Sequence, residues 1–224
     1  MPTLVIGNKN YSSWSLRPWL LLRQLGVRFD ERRLVLDTQE FREQIGQWSP
    51  SGRVPALHDD GPQGEGLIVW DSLAICEYAN ERWLDGRGWP RDIAVRAQAR
   101  SAAAEMHSGF AALRAQLPLN CLRTPNAYRW DADAQADIDR VQALWRQMRL
   151  RHGRSGDDGF LCGAFGIVDA MFAPVAIRFR GYGVAVDDVG EAYCDVLFAL
   201  PALQEWIAAA RAESERLPKY EKPA

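Results

Sequence analysis

Polar and apolar positions in the first third of the chain fall into two periods. Short apolar, β-rich runs at residues 3–7, 29–36, 54–57 and 67–70 have strand character, while longer stretches at 13–25 and 72–83 carry helical spacing. Residues 38–47 predict a further short helix. Gly26 suits the left-handed position past a helix C-terminus, and the Gly/Pro/Asp cluster at 59–66 marks a turn. The resulting order is β-α-β followed by β-β-α. A parallel pair in the first unit needs a crossover, which the 13–25 helix supplies.

Asp85-Gly86-Arg87-Gly88-Trp89-Pro90 interrupts this alternation and predicts a linker over 85–92. Beyond it the pattern is helical. Met106, Phe110, Leu113 and Leu117 recur at helical spacing within a helix expected over 93–117, and Ile138, Val141, Leu144 and Met148 do so over 138–148. Both stripes are core or interface, and more apolar face than one small helical domain needs argues for a homodimer. Residues 118–130 read as a loop or broken helix and 151–158 as a polar connection. A buried helix is expected to open at 166–169 and end near Gly181, and a last one spans 201–213 with Pro201 in its first turn. The fold class is α/β plus all-α, with domains at 1–84 and 93–224.

With 47% hydrophobic residues in 224, the chain has ample material for a buried core. A formal charge of −2 with no basic stripe argues against nucleic acid and anionic lipid as partners. The opening residues have no basic leader and no run approaches the roughly 20 apolar residues of a spanning helix, so a cytoplasmic, non-membrane protein is expected. Cys76, Cys121, Cys162 and Cys194 are far apart, without metal-ligand spacing to the three histidines. No metal site is expected, and the cysteines read as buried small hydrophobes.

Three separated motifs carry chemistry. Ser12-Ser13-Trp14-Ser15-Leu16-Arg17 opens the first helix; Val54-Pro55 stands at the mouth of a strand; Asp71-Ser72 lies where a strand feeds a helix. Pro55 has no N–H, so it sits at a strand start or open edge and leaves the Val54 backbone free to pair with an extended peptide. A cis Val54–Pro55 bond is the expectation. In order and spacing, the three motifs resemble the glutathione S-transferase family. The resemblance spans nearly the whole chain and implies a thioredoxin-like N-terminal domain, an all-helical C-terminal domain, glutathione as co-substrate and a homodimer.

By position in the family's motif, Ser12 is the expected thiol activator, with Ser13 as second donor and Tyr11 as competitor. A free thiol titrates near pH 8.5, and lowering that by about two units takes roughly 2.7 kcal/mol. A hydroxyl donor supplies about 1.5–3 kcal/mol to a charged acceptor and a helix N-terminus about 0.3–1. The resemblance gives Ser72 and the amides after it the γ-glutamyl carboxylate, and Asp71 the neighbouring ammonium. Val54 beside Pro55 would take the cysteinyl backbone, and Arg53 the glycyl carboxylate. Tyr11, Trp14, Met106, His107, Phe110 and Arg123 are candidates for an electrophile pocket between the domains. Met106 and Phe110 also lie on an apolar stripe. The Ser-Ser-x-Ser run looks most like the zeta type, whose cysteine is replaced by Trp14, which puts isomerase activity in doubt. The absence of a cysteine from residues 11–15 argues against thiol–disulfide exchange. Gly166-Ile167-Val168-Asp169 is similar to the family's helix-initiating box with glycine at its first place. Two functions follow: transfer of glutathione to an electrophilic small molecule, or a non-catalytic ligand-binding or protein-interaction module on the same fold.

Overall fold

The computed structural model describes residues 1–154 and 156–223. Strand β1 (Thr3–Ile6) lies inside a four-stranded sheet with β2 (Asp30–Arg33), β3 (Ala56–Asp59) and β4 (Leu67–Val69), in the order β2-β1-β3-β4. β1 and β2 run parallel; the β1–β3 and β3–β4 pairs are antiparallel. Helix α1 (Ser13–Gln24) makes the expected crossover. The strand expected over 29–36 shrinks to β2, whose four side chains are all exposed. A charged Asp-Glu-Arg-Arg run suits an outer edge. Leu34 then turns in to join Val5, Ile45 and Ala56 in a small second core. Helix α2 (Gln39–Trp48) is capped by Thr38, whose Oγ1 accepts from Phe41 N–H at 3.0 Å, and α3 (Ser72–Arg82) follows β4 directly. The Val54–Pro55 peptide bond is cis.

The remaining helices are α4 (Ile93–Ser108), α5 (Ala111–Gln116), α6 (Ala132–His152), α7 (Ile167–Tyr182), α8 (Asp188–Phe198) and α9 (Pro201–Ala212). Thus the chain has a thioredoxin-like sheet-and-helix N-terminal part and a helical C-terminal part. α7 is the central post: every residue but Arg180 is buried, and it packs on α1 and α4. A helix buried on almost every side offers solvent only a narrow face, here at Arg180. It runs one residue beyond Gly181, to Tyr182, and is capped by a left-handed Gly183.

The 93–117 helix is broken. Phe110 adopts a left-handed conformation (φ 56°), and a Cβ on Gly109 would lie 2.8 Å from Glu105 O. Glycine permits the close approach, and the turn sends the Phe110 ring into the core. Helix α8 fills a stretch to which the sequence pattern gave no element. Met106, Leu113, Leu117, Ile138, Val141, Leu144 and Met148 are all buried within the chain, so both stripes serve its own core. They carry no dimer argument.

Residues 85–92 are tied down rather than loose. Trp89 is buried, Gly88 N–H donates to Asn80 Oδ1 at 2.8 Å, and Ile167 N–H donates to Gly88 O at 2.9 Å. That contact explains Gly166: a Cβ there would meet Gly88 O at 2.7 Å. Asp169 still closes the box, accepting Gly166 N–H at 2.9 Å and, from farther away, Leu161 N–H and the Tyr193 hydroxyl, each at 3.0 Å. Burial nevertheless pushes its carboxyl up to about 6. Among the described residues, no helix is long and apolar enough to cross a membrane.

Candidate functional site

The three motifs meet at two adjoining hollows that share Trp14, Arg53, Val54 and Arg114. The larger, of about 600 Å³, is bordered by Tyr11, Ser12, Ser13, Arg178 and Tyr220 among others. The smaller, of about 390 Å³, is bordered by Pro55, Asp71, Ser72 and His107. Each motif is positioned by an element boundary. Ser12 caps α1, Val54-Pro55 precedes β3, and Asp71 caps α3 with Oδ1 accepting Leu73 N–H at 3.1 Å and Ala74 N–H at 3.4 Å. Backbone amides at a helix start face a site for negative charge.

Ser12 is buried and its hydroxyl is engaged. It donates to Ser15 Oγ at 2.7 Å and accepts Ser15 N–H at 3.4 Å, while Ser15 Oγ also accepts Gly7 N–H at 3.1 Å. The two hydroxyl rotors can exchange direction without moving a heavy atom, since each oxygen is both donor and acceptor. In the reversed sense Ser15 donates to Ser12, and the Ser12 proton is released to the cleft. Ser13 borders the same hollow, and its hydroxyl has no hydrogen-bond partner among the described residues.

Tyr11 is occupied elsewhere. Its hydroxyl donates to Glu221 Oε1 at 2.5 Å, and its ring stacks on Tyr220 with centroids 5.3 Å apart. Burial, reinforced by the Glu221 carboxylate, raises the phenol above its usual range, so it keeps its proton. Glu221 is held in turn by Asn120 Nδ2 at 2.9 Å. This C-terminal wall, with Lys219 paired to Asp37 at 2.6 Å, was missed by sequence reasoning. Nothing in the sequence around 219–221 has helical or strand period, and its role comes from folding back more than two hundred residues onto the first loop.

In the smaller hollow, Ser72 is fully buried and its Oγ has no partner among the described residues. A buried hydroxyl without a partner is costly and fits a polar ligand. Asp71 Oδ2 lies 2.5 Å from His107 Nε2, which reaches across from α4. His107 also packs edge-on against Trp14, with ring centres 5.4 Å apart. Arg53 is exposed and borders both hollows.

Of the electrophile-pocket candidates, Tyr11, Trp14 and His107 border the cleft. Met106 and Phe110 are buried in the core, as their stripe position also allowed. Arg123 does not reach the cleft. Its Nη1 donates to Lys222 O at 2.6 Å, and its guanidinium lies 4.2 Å from the centre of the Tyr182 ring, beside a separate hollow. Arg114 and Arg178, which do border the cleft, were missed because both sit in helical stretches where the pattern predicts only burial. All four cysteines lie outside the cleft, and burial holds each thiol protonated, with Cys121, Cys162 and Cys194 pushed up to about 12. Among the described residues, no group of three or more His, Cys, Asp or Glu could hold a metal ion.

Comparison with known families picks out the segment that carries all three motifs. Residues 11–82 match the glutathione S-transferase N-terminal domain. Solved structures of this type extend the likeness to the whole fold. A glutathione transferase homolog from Burkholderia gl BGR1, with bound glutathione, is 22% identical over 96% of this chain and 99% of its own, with a TM-score of 0.69. Glutathione S-transferase unclassified 2 from Bombyx mori is 17% identical over 94% of each chain, with a TM-score of 0.72. Ure2p in complex with glutathione is 20% identical over 95% of this chain and 94% of its own, with a TM-score of 0.67. No curated protein sequence matches the chain.

Proposed function

We propose that the cleft binds glutathione and promotes attack of its thiolate on an electrophilic small molecule. One observation carries this reading: hydroxyls and backbone from three separate segments, Ser12-Ser13, Val54-Pro55 and Asp71-Ser72, border one continuous cleft. The match of residues 11–82 supports the same reading. The γ-glutamyl carboxylate goes to the Ser72 hydroxyl and the α3 amides, and the ammonium to the Asp71 carboxylate beside its contact with His107. Val54 pairs with the cysteinyl backbone and Arg53 takes the glycyl carboxylate. The thiol then lies at the α1 N-terminus, where Ser12 donates to the thiolate once Ser15 has turned its own proton toward Ser12, with Ser13 as the second donor.

In this reading residues 1–84 bind glutathione, 85–92 connect, and 93–224 supply the electrophile lobe of a cytoplasmic protein. The Ser-Ser-x-Ser run supports a serine-type, zeta-like enzyme. Trp14, at the place of the zeta cysteine, is filled by an indole stacked on Arg17, which favours conjugation over isomerisation. Exposed Trp70 and Ile93 are apolar contacts available to a two-fold pair, and a monomer mass in light scattering at micromolar protein would remove the dimer.

A second reading is favoured by the engagement of Ser12 with Ser15 and of Tyr11 with Glu221: a glutathione-binding module without turnover. Retention on immobilised glutathione together with turnover of an aryl halide separates the two. Retention alone supports the module, and the absence of both retention and turnover removes glutathione from the reading.

A further inference from the structure

Two arginines, Arg17 and Arg114, flank Trp14, and a third, Arg178, borders the same hollow as Trp14; none of the three forms an ion pair among the described residues. The Arg17 guanidinium lies 4.0 Å and that of Arg114 5.3 Å from the Trp14 ring centre. Arg17 is fully buried; its Nε donates to Met171 O at 3.1 Å, and Nη1 and Nη2 have no partner among the described residues. Arg178, 4% exposed, donates from Nε to Leu117 O at 2.7 Å and from Nη1 to Pro174 O at 3.3 Å, and borders the larger hollow beside Ser12 and Ser13. Arg114 donates from Nη1 to His107 O at 3.2 Å and borders both hollows.

These are backbone carbonyls, which position a guanidinium but do not neutralise it. The carboxylates that act on the group are committed: Asp71 to the α3 cap and His107, Asp137 to Leu113 N–H at 3.0 Å. Burial lowers all three arginines, Arg178 to about 10, and Arg17 is lowered further by Arg178 and Arg114. Mutually repelling, desolvated cations are stabilised by an incoming anion, and the planar guanidinium fork matches a carboxylate.

We propose that Arg114 and Arg178, backed by Arg17 behind Trp14, form a binding site for a carboxylate carried by the second substrate, so that the cleft takes anionic electrophiles. This rests on the glutathione-transfer reading for the electrophile but not for the anion. Glutathione also carries carboxylates, for which Ser72 and Arg53 are the assigned partners, and the test separates the two sources.

Calorimetric titration of the full chain with dinitrobenzoate and with neutral dinitrobenzene, each with and without saturating S-methylglutathione, reads the site directly. The carboxylate should bind at least about tenfold tighter, and S-methylglutathione should leave that ratio in place. Losing a hydrogen bond to a charged partner corresponds to roughly 10- to 150-fold, so Arg178→Gln and Arg114→Gln should each collapse the ratio toward one, with partial recovery in Arg178→Lys. Arg114 is only half-buried, which keeps its variant informative if Arg178→Gln fails to fold. Equal affinity for the two probes, a ratio unchanged in Arg114→Gln, or displacement of dinitrobenzoate by S-methylglutathione would each overturn the proposal. Turnover of a chlorodinitrobenzoate and of the chlorodinitrobenzene lacking its carboxylate is the last arm. A retained, arginine-dependent binding ratio with no turnover of either supports the anion site and overturns the transferase reading instead.

Discussion

Replacing Ser12 by alanine divides its two roles by magnitude. As an N-cap it accepts Ser15 N–H at 3.4 Å, a long bond, so its loss costs about 0.5 kcal/mol, at the low end for caps. The Ser12–Ser15 hydroxyl bond at 2.7 Å adds a net loss of about 0.5–1.5 kcal/mol, and Ser15 Oγ keeps Gly7 N–H. Together these lower the melting temperature by roughly 2–8 °C for a chain of this size. A thiolate donor is worth about 1.5–3 kcal/mol, or about one to two units in the pKa of the bound thiol. Removing a donor to the charged form raises that pKa, so the pH at which conjugation reaches half its maximum should move up by the same amount. The assay is kcat/KM for a neutral aryl halide against pH, with glutathione affinity measured in parallel. Rate at neutral pH should fall far more than affinity, because Ser72, Val54 and Arg53 still hold the peptide. A melting loss with an unmoved pH midpoint would refute the argument and leave Ser12 a cap alone; a shifted midpoint in Ser13→Ala would pass the role to Ser13.

Other consequences are as direct. Ser72→Ala removes a buried hydroxyl that has no partner among the described residues, so calorimetric glutathione affinity should drop about tenfold or more while the melting temperature holds or rises. Tyr11→Phe should leave the pH midpoint in place, because the phenol keeps its proton and gives it to Glu221; a shift of a full unit would return Tyr11 to candidacy. Asp157 is held down to about 2 from 3.8 by the paired Arg149 guanidinium. Its folded value lies below the unfolded one, so its stabilisation is present above pH 3.8 and fades as pH falls towards 2. Urea titrations of Asp157→Asn should show about 1–2 kcal/mol lost near neutral pH, after allowing for partial exposure, and a correspondingly flatter acid limb.

Much of the N-terminal fold was legible because it is local. The alternation of apolar periods, the left-handed glycine after α1, the side-chain caps Ser12, Thr38 and Asp71 and the proline at the mouth of β3 each act within a few residues, and their order fixes a β-α-β, β-β-α chain. The motifs at these boundaries also carry the resemblance to the glutathione S-transferase family that brought Ser12, Val54 and Ser72 forward as site candidates. Period alone could not separate one helix from two at Gly109-Phe110, since the stripe runs unbroken across a turn made by backbone geometry. Tertiary structure decided which polar atoms are left over. Tyr11 is committed to a carboxylate some two hundred residues away, and Arg123 to the C-terminal tail. Arg17, Arg114 and Arg178 come from three helices, and none of them forms an ion pair among the described residues. Local sequence specifies where backbone turns and which face is buried. Whether a buried charge or hydroxyl finds a partner depends on contacts between segments remote in the chain, and only the packed structure supplies those.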